Sequence, residues 1–363
     1  MKFLLKKTFL LCAIILTAYT VKSQEIWPSP EVEQMYKHAG EYAQMGNLPE
    51  AIITYRQAIL LAPQKTILYK ELGNAFYRSG MYKEAEETLT PLLAKPEADD
   101  QYYELLAASQ AAQNKRKDAR ETIKKGMARF PGSGPLYHAS GMVYNLEKNK
   151  EEALQAWLNG ISLAPLYPAN YYDASLLYVA TTHVEWGLIY AETYLAMPHD
   201  TTGDEILKTK LLEGYKTMFA HIAGDNVPQY GKVKEVKQPN TFEAVFLQVY
   251  SHLTPVVSDG ITTQNLTMVR TRFLMDWFAT WRAQYPYSLF SFQDQLLREG
   301  YFDRYNEWLF GKAENITEYD AWNKFHEGEM NDFIIWKQSH PLIPSAKDFY
   351  NNRSVDFLKK EKK

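Results

Sequence analysis

Alanine recurs at positions 51, 85, 119 and 153, a spacing of 34 residues, each time inside the same pattern of small, aromatic and proline positions. A chain that repeats itself at such a period folds as stacked helical units, each burying against its neighbours what it cannot bury alone. Residues 32–65, 66–99, 100–133 and 134–167 superpose in this register. Their fourth position reads Met35, Tyr69, Tyr103, Tyr137, and their eighth is always small: Ala39, Gly73, Ala107, Gly141. Small side chains at that point let two helices cross near the short end of the usual ~8–10 Å axis separation. Position 24 supplies volume in return, with Tyr55, Leu89, Ile123 and Trp157 expected to seal the second helix against the first. Pro63, Pro131 and Pro165 stand at position 32 and Pro96 arrives one residue early, so each second helix is expected to stop there.

These offsets resemble the tetratricopeptide repeat signature. Leu72, Gly73, Phe76, Gly80, Tyr82 and Ala85 carry it in the second repeat, and Tyr42, Gly46, Ala51, Tyr55, Ala58 and Pro63 in the first. A weaker fifth unit spans 168–201, where Tyr171, Tyr178 and Tyr194 keep phase but Gly187 replaces the alanine and Pro198 is early. Residues 204–222 read as one amphipathic helix covering the exposed end, as terminal units of solenoids must. The expectation is an all-α superhelical solenoid of about five repeats plus a capping helix over 32–222, followed by an α-helical C-terminal domain. The resemblance implies a concave face that binds peptides or protein elements.

In that family the first helix of each pair lines the inner surface. Carried over by position, this gives Tyr36, Lys70, Asn74, Tyr77 and Arg78 from the first two repeats and Glu104, Ala108, Ala111 and Ala112 from the third. Repeats four and five add His138, Met142, Asn145, Leu146, Tyr172, Leu176 and Val179. The wall therefore runs from polar to apolar, and a guest with a charged end near Lys70 and Arg78 and apolar anchors near Met142 and Tyr172 is expected. Lys70 and Asn74 also resemble the start of the family's clamp for a terminal carboxylate, but Leu105, Pro135 and Ala139 stand where its remaining residues belong.

The amino end belongs to neither unit. Lys2, Lys6 and Lys7 precede an apolar run from Phe9 to Ala18, and Val21 and Ser23 come before Gln24, the pattern of a signal peptide over residues 1–23. The run is shorter than the ~20 residues that span a bilayer. Export to the periplasm or outer envelope, or release outside, is the expectation, with no membrane span after cleavage. Cleavage would remove the one cysteine, Cys12, and with it disulfides, thiol nucleophiles and thiolate metal sites. It would also leave 36 basic residues against 43 acidic, an unsuitable surface for nucleic acid.

Residues 223–241, with Gly224, Pro228, Gly231 and Pro239, read as a linker into an aromatic-rich helical domain, 242–363. Helices are expected there at about 242–253, 263–284, 288–299, 303–309 and 318–338. Seventeen aromatics fall between Trp277 and Trp336, about twice the chain's average density, which builds a rigid core. Two alternatives compete with that: stacking of Trp281, Tyr285, Trp308 or Trp322 on a glycan, and folding of this third back into its own groove. Chemistry is sparse. No histidine pair has metal spacing, no phosphate loop or nucleophile elbow occurs, and the best cluster is His326, Glu327, Glu329 and Asp332. The expected role is non-enzymatic, an adaptor holding a protein or peptide partner without cofactor or metal, with a glycan-binding module or an enzyme in the last third as the rivals.

Overall fold

The structure, a computed structural model, describes residues 27–201, 203–223 and 241–351. The leader, nearly all of the linker and the basic end of the chain lie outside the described residues. Among the described residues there is no strand, and no helix is long and apolar enough to cross a membrane.

Five helix pairs follow the 34-residue period. They are α1 (Pro30–Gln44) with α2 (Leu48–Leu61), α3 (Thr66–Arg78) with α4 (Tyr82–Leu89), α5 (Asp100–Ala112) with α6 (Arg116–Arg129), α7 (Gly134–Leu146) with α8 (Lys150–Leu163), and α9 (Pro168–Val179) with α10 (Val184–Ala196). The helix α11 (Asp204–Ala223) caps them, packed on α9 and α10. Prolines end the second helices as expected: Ala62, Phe130 and Ala164, each just before a proline, have φ of −138°, −131° and −134°, outside the helical range. The exception is α4, which stops at Leu89 and continues as a 3-10 turn, Thr90–Ala94, because Pro91 already removes a backbone donor there.

One turn recurs between the helices of a pair. Gly46, Gly80, Asn114 and Lys148 all have left-handed φ, +79°, +75°, +63° and +60°, and stand 34 residues apart. In each case the N–H of the next residue reaches back to a carbonyl five residues earlier: Asn47 to Tyr42, Met81 to Phe76, Lys115 to Gln110 and Asn149 to Tyr144. This satisfies carbonyls that the helix end would otherwise leave open. Inside the second and fourth hairpins the small eighth position meets the large twenty-fourth. A methyl on Gly73 would lie 2.8 Å from Leu89, and one on Gly141 would lie 2.1 Å from the Trp157 indole nitrogen.

The last third is also helical: α12 (Phe242–Ser251), α13 (Thr263–Thr280), α14 (Ser288–Arg298), α15 (Phe302–Asn306), a π segment Glu307–Gly311 leading into α16 (Lys312–Glu314), α17 (Ile316–Phe325) and α18 (Glu327–Ser339). Two boundaries differ from the sequence reading. The helix expected over 318–338 is two, broken at His326, whose φ of −113° and ψ of 21° leave the helical region. The helix expected at 303–309 runs on through the π turn, which brings Gly311 under Tyr319; a methyl on Gly311 would lie 2.6 Å from that ring. Gly300, at φ +79°, repeats the solenoid's turn between α14 and α15, with Tyr301 N–H bonded to the Leu296 carbonyl.

The aromatic third packs on α8, α10 and α11 rather than entering its own groove. One apolar core runs from Ala153 to Leu342 without interruption, while the first three repeats hold smaller clusters. The hub is α10, every residue of which is buried. Its Glu192 makes a buried ion pair with Arg270 of α13, joined by Asn306 and Gln293 and ringed by Tyr215, Phe302, Tyr305 and Phe310.

Candidate interaction surface

Curvature decides which face can receive a partner. Successive first helices (α1, α3, α5, α7, α9) touch one another, while successive second helices make no comparable contact among the described residues. The array therefore closes on the first helices, which line its inner side.

The residues expected there fall into two groups. Arg78, Met142, Asn145 and Leu146 are exposed, Met142 by 38% and Leu146 by 47%, with Ala112 exposed one repeat before Leu146. Tyr36, Lys70, Asn74, Tyr77, His138 and Tyr172 are half-buried. Tyr36 lies between Trp27 and Tyr55, with ring centroids at 4.7 and 6.3 Å, and Tyr77 leans on Tyr82 at 5.5 Å. The Lys70 ammonium donates to Gln101 at 2.9 Å and sits 5.6 Å from the centre of the Tyr102 ring, so it is partly committed. Tyr172 packs on Tyr194 at 5.1 Å.

His138 is the centre of a rung that the sequence reading missed. Its Nδ1 lies 3.1 Å from Glu104 and its Nε2 2.9 Å from Asp173, so one imidazole spans three successive repeats. The Tyr167 hydroxyl donates to the same Glu104 oxygen at 2.7 Å. Burial alone would lower the His138 pKa, but the hydrogen bonds to Asp173 and Glu104 and their charges overcome it and carry it up to about 9. The ring is thus a cation locked between two carboxylates, and it stiffens the groove floor rather than offering a free donor. Glu104 and His138 share position 5 of their repeats, a signal present in the sequence; Asp173 is one residue out of that register, which hid it.

Three further features lie elsewhere. A groove of about 790 Å³ opens on the outer side between α2 and α4, lined by Ile59, Leu60, Leu72, Phe76, Pro91 and Leu92, where the Pro91 turn replaces helix. His183, Glu185 and Glu243 bring one ligand atom each within 4.8 Å of one another, an association across sixty residues of chain that spacing alone does not reveal. Burial pushes the Glu185 carboxyl up to about 7, with Glu243 adding to the shift and His183 opposing it. Both carboxylates stand in the first turns of their helices, α10 and α12. In the His326 cluster, Arg304 takes the Glu329 carboxylate that His326 also reaches at 3.2 Å.

The tryptophans considered for glycan stacking are engaged by the protein. Trp322 stacks on His326 at 4.6 Å and Tyr319 at 6.4 Å, Tyr285 is buried among Trp277, Phe242 and Tyr350, and Trp308 carries two lysines. Trp281 packs against the core at its edge.

The architecture is that of an all-α solenoid of tetratricopeptide type with further helices sealing one end. No family model matches the chain, nor does any curated protein. Solved structures do. A thermophilic tetratricopeptide protein of Thermus thermophilus is 16% identical over 51% of this chain and 98% of its own, with a TM-score of 0.44. A tetratricopeptide repeat protein from Parabacteroides merdae is 15% identical over 79% of this chain and all of its own, at 0.36. YrrB, described as a tetratricopeptide protein with an unusual peptide-binding site, is 19% identical over 44% and 83% of the two chains, at 0.31. At these identities the likeness is one of fold.

Proposed function

We propose that this protein is a non-enzymatic adaptor whose inner face holds a peptide or helix of a partner protein, and that it works in the envelope after export. The observation carrying this reading is the pair of exposed apolar side chains on α7, Met142 and Leu146 beside Asn145, next to the locked His138 rung. Apolar anchors exposed on a rigid concave floor are what an amphipathic partner segment needs. Fixing the floor in advance lowers the ordering cost of association. Export rests on the charged and apolar pattern of residues 1–23.

The test is site-specific crosslinking. A photoreactive side chain at Leu146 is expected to trap a discrete partner in the cells that make the protein, and one at Leu60, on the outer side, is not. Met142→Glu in the protein carrying the Leu146 probe should abolish the adduct while the circular dichroism spectrum stays unchanged; equal trapping from both faces would refute the assignment. Amino-terminal sequencing of the purified protein checks export, with Gln24 the expected start.

A further inference from the structure

A cleft of about 630 Å³ lies at the closed end of the solenoid, between the loop after α10, the start of α11 and the end of α18. Its walls include the apolar Met197, Pro198, Ile334 and Pro341 together with Trp308, Lys208 and Lys337. The two ammonium groups share one indole: Lys208 Nζ is 4.0 Å from the Trp308 ring centre and Lys337 Nζ 4.7 Å. Concave sites of this volume that bring polar groups together beside apolar wall are a common form of small-molecule pocket.

Each carboxylate lining it has a hydrogen-bonded partner other than Lys337. Glu205 is held by Lys208 at 3.2 Å and Lys312 at 3.0 Å, and Asp204 takes His199 Nε2 at 2.9 Å. Lys337 makes no ion pair among the described residues, and its recorded partner is the Trp308 ring. Desolvation pushes its pKa down to about 8, with Asp204 opposing and Lys208 adding to the shift. An anion placed between Lys337 and Lys208 would relieve their repulsion.

We infer that this cleft binds a monocarboxylate with an apolar body, its carboxylate between Lys337 and Lys208 and its body against Met197, Pro198 and Ile334. One uncommitted charge favours a monoanion; a dianion such as phosphate meets Asp204 and Glu205 at the same mouth. The site is separate from the inner-face strip and stands without the adaptor reading. Two sources share this chemistry, a free organic acid and the C-terminus of a polypeptide.

Calorimetric titration of the full chain separates them, with hexanoate against hexanol and an acetylated trileucine peptide against its C-terminal amide. Submillimolar binding of hexanoate, the free-acid peptide or both is expected, with hexanol and the amide at least tenfold weaker. Binding of hexanoate alone assigns a small acid; binding of the peptide alone assigns a chain terminus. Lys337→Gln should weaken binding at least tenfold and Lys337→Arg should retain it, each with an unchanged melting curve. Equal binding of acid and neutral forms, or no loss in Lys337→Gln, would overturn the inference, as would no binding by either acid.

Discussion

At the residue scale, the left-handed turns show what a sequence displays and what it conceals. Gly46 and Gly80 announce themselves because glycine adopts positive φ without strain, whereas Asn114 and Lys148 hold the same conformation with ordinary side chains. Nothing in a lysine signals it. Lys148→Gly is therefore expected to stabilise the protein by about 0.5–1 kcal/mol in urea unfolding, relief of strain outweighing the added freedom of the unfolded chain. The His138 rung makes a second prediction. Its folded pKa of about 9 lies above the unfolded value of ~6.5, so the stabilisation is complete below about pH 6.5 and is lost as pH rises through 9. Melting temperature should fall across that window more steeply in the parent than in His138→Gln, and parallel curves would show that the rung contributes nothing.

At the scale of elements, the 34-residue period made the helix pairs readable. Local rules suffice there: proline stops a helix, a small residue marks a crossing, and a large one fills the opposite side. The pairing of Gly141 with Trp157 follows from those rules and can be tested directly. Gly141→Ala is expected to destabilise by about 1–3 kcal/mol, and adding Trp157→Leu should recover part of that loss, as judged by thermal unfolding. Where the period ended, so did legibility. The π turn sets Gly311 against Tyr319, and the break at His326 lays its ring on Trp322; neither follows from the 34-residue period.

For the whole molecule, register assigns residues to the first helices but says nothing of the cleft holding Lys337, because its lysines stand 129 residues apart and meet only over the Trp308 ring. The same holds for Glu192 and Arg270, joined across 78 residues. Arg270→Met should cost about 3–5 kcal/mol by leaving Glu192 buried without a cation, while Arg270→Met with Glu192→Leu should restore most of it. Chemical denaturation followed by circular dichroism distinguishes the two.

Because α10 is enclosed on every side, the array can be lengthened in one direction only. Among the described residues, a duplicate 34-residue unit spliced before residue 32 would meet no earlier helix pair stacked on α1; one spliced after residue 201 would have to displace α11. Over evolutionary time, variation in repeat number and partner reach would therefore gather at the amino side, with the sealed end kept as a fixed anchor.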